Sequence, residues 1–213
     1  MSTSTVGTAS SARTDRAART GANKFADRRR ELAATALVTI AEQGFARTGL
    51  RDISARTDLS TGILHYYFDG KDDLIAQAIW EYKSECARRY DPIVESSTTA
   101  GELIARFGVE ISATLRDESV MHRLWYDLRN QALFEEGFRE TIVALDDLLA
   151  DMVWAVVQRH AQLRDTEPSI DRETAYALFD GLFLNCLIAY QRGDADAPEQ
   201  IRARSGALLA ASV

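Results

Sequence analysis

Proline placement limits most strongly what this chain can fold into. Only three prolines occur in 213 residues (Pro92, Pro168 and Pro198), and each falls between stretches of regular apolar spacing. Proline breaks a helix interior, so its exclusion from the long segments leaves them free to be helical. Those segments repeat at the helical period. Leu32, Ala36, Leu37, Ile40 and Ala41 share one face before Gly44, and Ile75, Ile79, Tyr82 and Cys86 share another. Thr99 to Glu102 has capping-box spacing, as do Asp196 and Glu199 beside Pro198. No alternating run bounded by hairpin turns appears. The pattern predicts an all-α chain of about nine helices.

Charge divides the chain. The net charge is −7, yet residues 1–71 carry 11 Lys and Arg against 7 Asp and Glu, net +4, leaving −11 on residues 72–213. A basic segment on an acidic body suits a polyanion-binding module. Residues 1–24 lack apolar periodicity and are expected to be a disordered basic tail. Arg28-Arg29-Arg30 precedes an apolar run, but Glu31 and Glu42 spoil an export core, so a signal peptide is rejected. Two distant cysteines, Cys86 and Cys186, make no disulfide framework, and the expected setting is reducing and cytoplasmic. The longest apolar stretches, such as 152–157, are too short for a membrane span. His65, His122 and His160 lack metal-ligand spacing, so neither a metal nor a cofactor is expected.

Residues 48–74 carry the most chemistry. The spacing predicts a short helix over 49–56, a turn at Asp58 and a second short helix over 61–67, packed through Leu50, Ile53, Leu59 and Leu64. Aspartate tolerates a left-handed turn, and Ser60 is placed to cap the second helix. This is a helix-turn-helix, whose second helix can enter the major groove by its N-terminus. Ser60, Thr61 and Gly62 allow close approach to phosphates or base edges. Tyr66 suits a phosphate oxygen, His65 a base edge or phosphate, Lys71 a phosphate, and Arg51 the O6 and N7 of guanine.

The segment Phe45–Leu74 resembles the DNA-binding domain of the tetracycline-repressor (TetR) family of bacterial transcription regulators. The resemblance rests on Gly44-Phe45, Thr48, Leu50 to Ser54, Leu59 to Gly62, Leu64 to Phe68 and Lys71 to Leu74, above all on Tyr67-Phe68 followed by Lys71. It implies that Arg51, Ser60, Thr61, Gly62, Ile63, His65, Tyr66 and Lys71 touch DNA and that Thr48 touches phosphate. Thr57-Asp58 stands where the family usually has Ala-Gly. His65 stands where it often has Tyr, although His appears in the branch resembling the choline-responsive repressors, which this chain resembles most. The implied organisation is the tail, a three-helix DNA-binding domain over 25–71, and a larger ligand-binding and dimerisation domain over 72–213.

Helices are expected over 71–90, 99–116, 118–133, 136–160, 170–192 and 197–211. Between Thr174 and Tyr190 the sequence is apolar nearly all round, which demands partners on every face. A second subunit is the natural cover for one of them, and Gly181 permits close approach. Trp125, Tyr126 and Phe183, among other aromatics, offer walls for an apolar cavity, and Asn185 offers an amide that needs a partner. The expected function is a homodimeric regulator, most readily a repressor. It would bind a near-palindromic double-stranded operator and be released by a small apolar or aromatic effector held by Trp125, Tyr126, Phe183 and Asn185. The alternative is a DNA-binding regulator whose C-terminal domain recruits a protein partner without a small ligand. Nucleophile elbows, phosphate loops and zinc motifs are missing, so an enzyme is not expected.

Overall fold

A computed structural model describes the backbone of residues 7–213 and the side chains from Asn23 onward. The described residues form ten helices and no strand: α1 (Gly7–Gln43), α2 (Leu50–Arg56), α3 (Thr61–Tyr67), α4 (Lys71–Arg88), α5 (Asp91–Ser96), α6 (Ala100–Asp117), α7 (Ser119–Gln131), α8 (Arg139–Gln162), α9 (Arg172–Gln191) and α10 (Ala197–Ala211). Each expected helix has a counterpart. The addition is α5, where Pro92 sits in the first turn. An amide there has no helical partner in any case, so proline opens a helix at that position.

The tail differs from expectation. Residues 1–6 lie outside the described residues, but α1 begins at Gly7, within the segment expected to be disordered. A packed helix supplies the nucleus, and the alanine-rich stretch before Asn23 then only has to propagate it. Packing starts at Leu32, which is buried with Ala33, Ala36, Leu37 and Ile40. Gly44 ends the helix at φ 86°, a left-handed conformation that glycine adopts without strain.

Ile53, Leu59 and Leu64 are buried between α2 and α3, as their spacing requires. The turn between them is built differently from the expected left-handed Asp58. Among the described residues, Asp165 is the sole non-glycine with positive φ. The chain turns instead through extended Thr57 and Ser60. The Thr57 hydroxyl donates to Ile53 O (2.8 Å) and accepts from Leu59 N (3.3 Å), doing locally what a left-handed residue would otherwise do.

Hydrophobic packing continues past residue 71. One buried cluster joins α1, α2 and α3 to Leu74, Ile75 and Ile79 of α4, Leu124, Trp125 and Leu128 of α7, and Ile142 and Leu145 of α8. A second joins α5, α6, α9 and α10 to the later part of α8. Tyr126, Met152 and Tyr176 pack against both. No described helix is long and apolar enough to cross a membrane.

Candidate nucleic-acid interface and ligand cavity

The exposed side of α3 brings most of the candidate DNA residues together. Tyr66 is 71% exposed and Ile63 38%. Ser60, Gly62, His65 and Arg51 of α2 are also exposed. Ser60 caps α3, its hydroxyl accepting from Ile63 N at 3.2 Å. Thr61 Oγ1 lies 2.9 Å from Ser54 Oγ, tying the start of α3 to α2. The first turn of α3 has no acidic residue to repel a phosphate. Behind Tyr66, its ring meets Tyr67 edge-on with centroids 4.9 Å apart, and Phe25 of α1 stacks against Tyr67 at 4.8 Å. That packing fixes where the Tyr66 hydroxyl points.

Two expected phosphate contacts are occupied elsewhere. Thr48 is 1% exposed and its hydroxyl donates to Gly44 O at 2.8 Å. The side chain therefore shapes the loop after α1 and does not face outward. Lys71 is half-buried: its ammonium donates to Phe45 O at 2.5 Å and lies 3.7 Å from the centre of the Phe45 ring. Burial pulls its pKa below the ordinary lysine value, against the pull of Asp72 and other nearby carboxylates. In this arrangement Lys71 clamps the start of α4 to the end of α1. A second clamp joins Arg29 of α1 to Asp73.

The larger bundle holds a partly open cavity of about 80 Å³. Trp125, Tyr126, Phe107, Phe179 and Phe183 form its aromatic walls. Three of the four expected ligand residues (Trp125, Tyr126 and Phe183) are thus brought together. Asn185 is not. It lies on the exposed side of α9, its amide donating to Gly181 O at 2.7 Å. Phe179 and Phe183 face the cavity, and Asn185, two residues on from Phe183, falls about 200° round the helix from it. Leu178 likewise points out and is 43% exposed.

Polar residues that the apolar pattern hid complete the cavity. Lys83 of α4 is 3% exposed, with Nζ 3.4 Å from His122 Nδ1 and 4.9 Å from the Trp125 ring centre. Burial pushes its pKa down to about 8. His122 is held well below the usual histidine range, by burial first and then by Lys83 and Arg89. Arg89 donates to Glu118 at 2.5 Å, and Glu118 also accepts from the Tyr82 hydroxyl. Across the cavity, Asp180 accepts from Arg129 (2.8 Å) and the Tyr126 hydroxyl (2.9 Å). Lysine between Ile79 and Cys86 on an apolar stripe was the legible signal for Lys83, and Asp180 between Tyr176 and Phe183 repeats it.

Cys86, Glu118 and His122 bring ligand-type atoms within 4.8 Å of one another. They do not suit a metal cation. Arg89 already neutralises Glu118, and the Lys83 ammonium approaches the imidazole, so a second positive charge would be repelled.

Helix α7 has two working sides. His122, Trp125 and Tyr126 face the cavity. Arg123 donates to Ala41 O at 2.9 Å, and Asp127 accepts from Phe45 N at 2.9 Å, so both hold the end of α1. Helix α4 works the same way, with Lys71 and Asp73 at the DNA-binding unit and Lys83 and Cys86 at the cavity.

Residues 32–78 match the family described as bacterial regulatory proteins, tetR family. The HTH-type transcriptional regulator BetI of Brucella melitensis biotype 2 is 26% identical over 174 residues, covering 81% of this chain and 83% of that protein. The fold is similar to that of the regulator FadR from Bacillus subtilis in complex with stearoyl-CoA (TM-score 0.68, 16% identity, 85% of this chain and 97% of that one). It is also similar to that of a transcriptional regulator from Saccharomonospora viridis in complex with choline (TM-score 0.62, 20% identity, 84% and 93%). The helix-turn-helix, the all-helical body behind it and these likenesses agree: residues 32–78 are a DNA-binding domain of the tetR type, and the chain is a transcriptional regulator and not an enzyme.

Proposed function

We propose that the protein is a ligand-responsive repressor that acts in the cytoplasm as a homodimer on a near-palindromic operator. The observation that carries this reading is the double duty of α4 and α7, which line the cavity and also hold the DNA-binding unit. A ligand that prefers one arrangement of these helices therefore also selects one placement of α3. Only that difference in affinity can drive release, and moving a population from about 99:1 to 1:99 takes roughly 5.5 kcal/mol of it. The candidate DNA surface is Arg51 with Ser60, Thr61, Gly62, Ile63, His65 and Tyr66, while Lys71 and Thr48 support it from behind.

The outer side of α9 supports a dimer. Ala177, Leu178, Asn185 and Ile188 are exposed along it, and a Cβ placed on Gly181 would meet nothing within 4 Å. An apolar stripe with a small residue at its centre suits a second copy of the same helix. Two α3 helices about 34–36 Å apart then read successive turns of one DNA face. The aromatic cavity favours a small-molecule effector over a protein partner, as do the ligands bound to the neighbours named above.

The test is titration of the purified protein onto the DNA flanking its own coding region, at several salt concentrations, against a scrambled duplex. Salt-dependent binding about 10³-fold tighter than to the scrambled duplex is expected. Equal weak binding to both, there and in a genome-wide search for bound sites, would overturn the proposal.

A further inference from the structure

The charged side chains around the cavity are in direct ion pairs, with one exception. Arg89 is paired with Glu118, and Asp180 and Asp146 with Arg129. Lys83 is as deeply buried as any charged residue described, yet no carboxylate lies within ion-pair distance of it among the described residues. Its ammonium meets only the edge of His122 and the faces of Trp125 and Tyr82. Asp180 and Glu118 favour the charge from a distance, but a buried cation with no carboxylate in direct contact is costly.

His122 adds a second unused donor. It is 5% exposed and lines the cavity, and its Nε2 has no hydrogen-bond partner. Since the ammonium can only donate, Nδ1 must accept, which leaves the imidazole proton on Nε2. The two residues therefore present a charge and two kinds of N–H to the same end of an aromatic cavity. Acceptor groups there are already engaged: the carboxylates are paired, as above, and the Tyr82 and Tyr126 hydroxyls donate to them.

From this juxtaposition we infer that the effector is a small organic carboxylate, its head group held between Lys83 and His122 and its apolar body lying along Phe107, Phe179 and Phe183. The inference rests on the ligand-responsive reading given above and narrows it to a chemical class. A quaternary ammonium such as choline is disfavoured here. The Trp125 face is already held by Lys83 and by Arg129 (5.8 Å to the ring centre), and Asp180, the carboxylate in the cavity lining, is already engaged by Arg129 and Tyr126. The geometry also supplies the response. Lys83 is on α4 and His122 on α7, so one carboxylate bridging them acts on both helices that hold the DNA-binding unit.

The test is calorimetric titration of the full chain with two isosteric sets: 3-phenylpropanoate, 3-phenylpropanamide and 3-phenylpropylammonium, then octanoate, octanamide and octylammonium. In at least one set the carboxylate is expected to bind about tenfold or more tightly than the amide, with the ammonium weakest. Lys83→Met is expected to bring acid and amide within about threefold of each other, because the apolar walls remain. An amide or ammonium that binds wild type as tightly as the acid would overturn the carboxylate class and leave the ligand-responsive reading standing. No binding by any of the six at millimolar concentration would overturn both. A preference for the acid that survives in Lys83→Met would remove Lys83 from the site.

Discussion

Replacing Lys83 with methionine is expected to stabilise the ligand-free protein, the reverse of what most buried substitutions do. Methionine has nearly the length and volume of lysine without the charge, so packing against Trp125 and Tyr82 is largely kept. Burial lowers the Lys83 pKa from 10.5 to about 8. At about 1.4 kcal/mol per pH unit, holding the charge inside at pH 7 costs roughly 3 kcal/mol. Loss of the ammonium–indole attraction returns about 1–2 kcal/mol of that, leaving a net gain of about 1–2 kcal/mol. For a chain of this size the gain is a rise of about 2–8 °C in Tm. The sign with pH follows from the same numbers. The lysine is charged in both folded and unfolded states below about pH 8, so its cost is fully present there, and it fades as pH rises toward 10.5. Urea unfolding of both proteins at matched concentration, at pH 7 and pH 9.5, should show the advantage of the variant shrinking. A variant less stable than wild type by 1 kcal/mol or more at pH 7 would refute the reasoning, because it would mean the ammonium is compensated inside the fold.

Other outcomes follow from the same geometry. Tyr66→Phe is expected to weaken binding to specific and scrambled DNA alike, while Arg51→Ala also relaxes base preference. Fluorescence anisotropy on both duplexes checks this, and unchanged affinity in both variants would remove the α3 surface from the interface. Gly181→Arg sets a long charged side chain on the outer stripe of α9 and is expected to yield monomers in sedimentation velocity without loss of helicity. An intact dimer would place the interface elsewhere. Asp127→Ala removes the acceptor for Phe45 N, and its destabilisation is expected at about 1–3 kcal/mol by chemical denaturation. The variant should also respond less to any effector that wild type responds to, since one of the two α7 contacts that hold the end of α1 is cut.

The placement of nearly every helix was legible because it depends on local rules. The 3.6-residue spacing of Leu32 to Ala41 and of Ile75 to Cys86, the cap at Ser60 and the glycine at 44 each act within a turn or two of their own position. The helix-turn-helix surface was legible for the same reason: α3 is seven residues long, and which of its side chains face out follows once Leu64 is known to face in. Spacing says less about which partner a polar side chain takes, near or far in the chain. Thr48 looks like an exposed phosphate ligand until its hydroxyl is seen turned inward to Gly44. Lys71 looks free until Phe45, 26 residues earlier, is seen to accept from it.

By itself, the sequence determined an all-α chain with a helix-turn-helix whose second helix spans residues 61–67, because periodicity, capping and turn chemistry are short-range properties written residue by residue. Only the tertiary structure decided that Asn185 faces away from the cavity, and that Lys83 and His122, 39 residues apart, meet inside it. Which face of a helix receives a partner is set by the packing of the whole bundle. A buried charge has meaning only once its neighbours, and the counter-charge missing among them, are known.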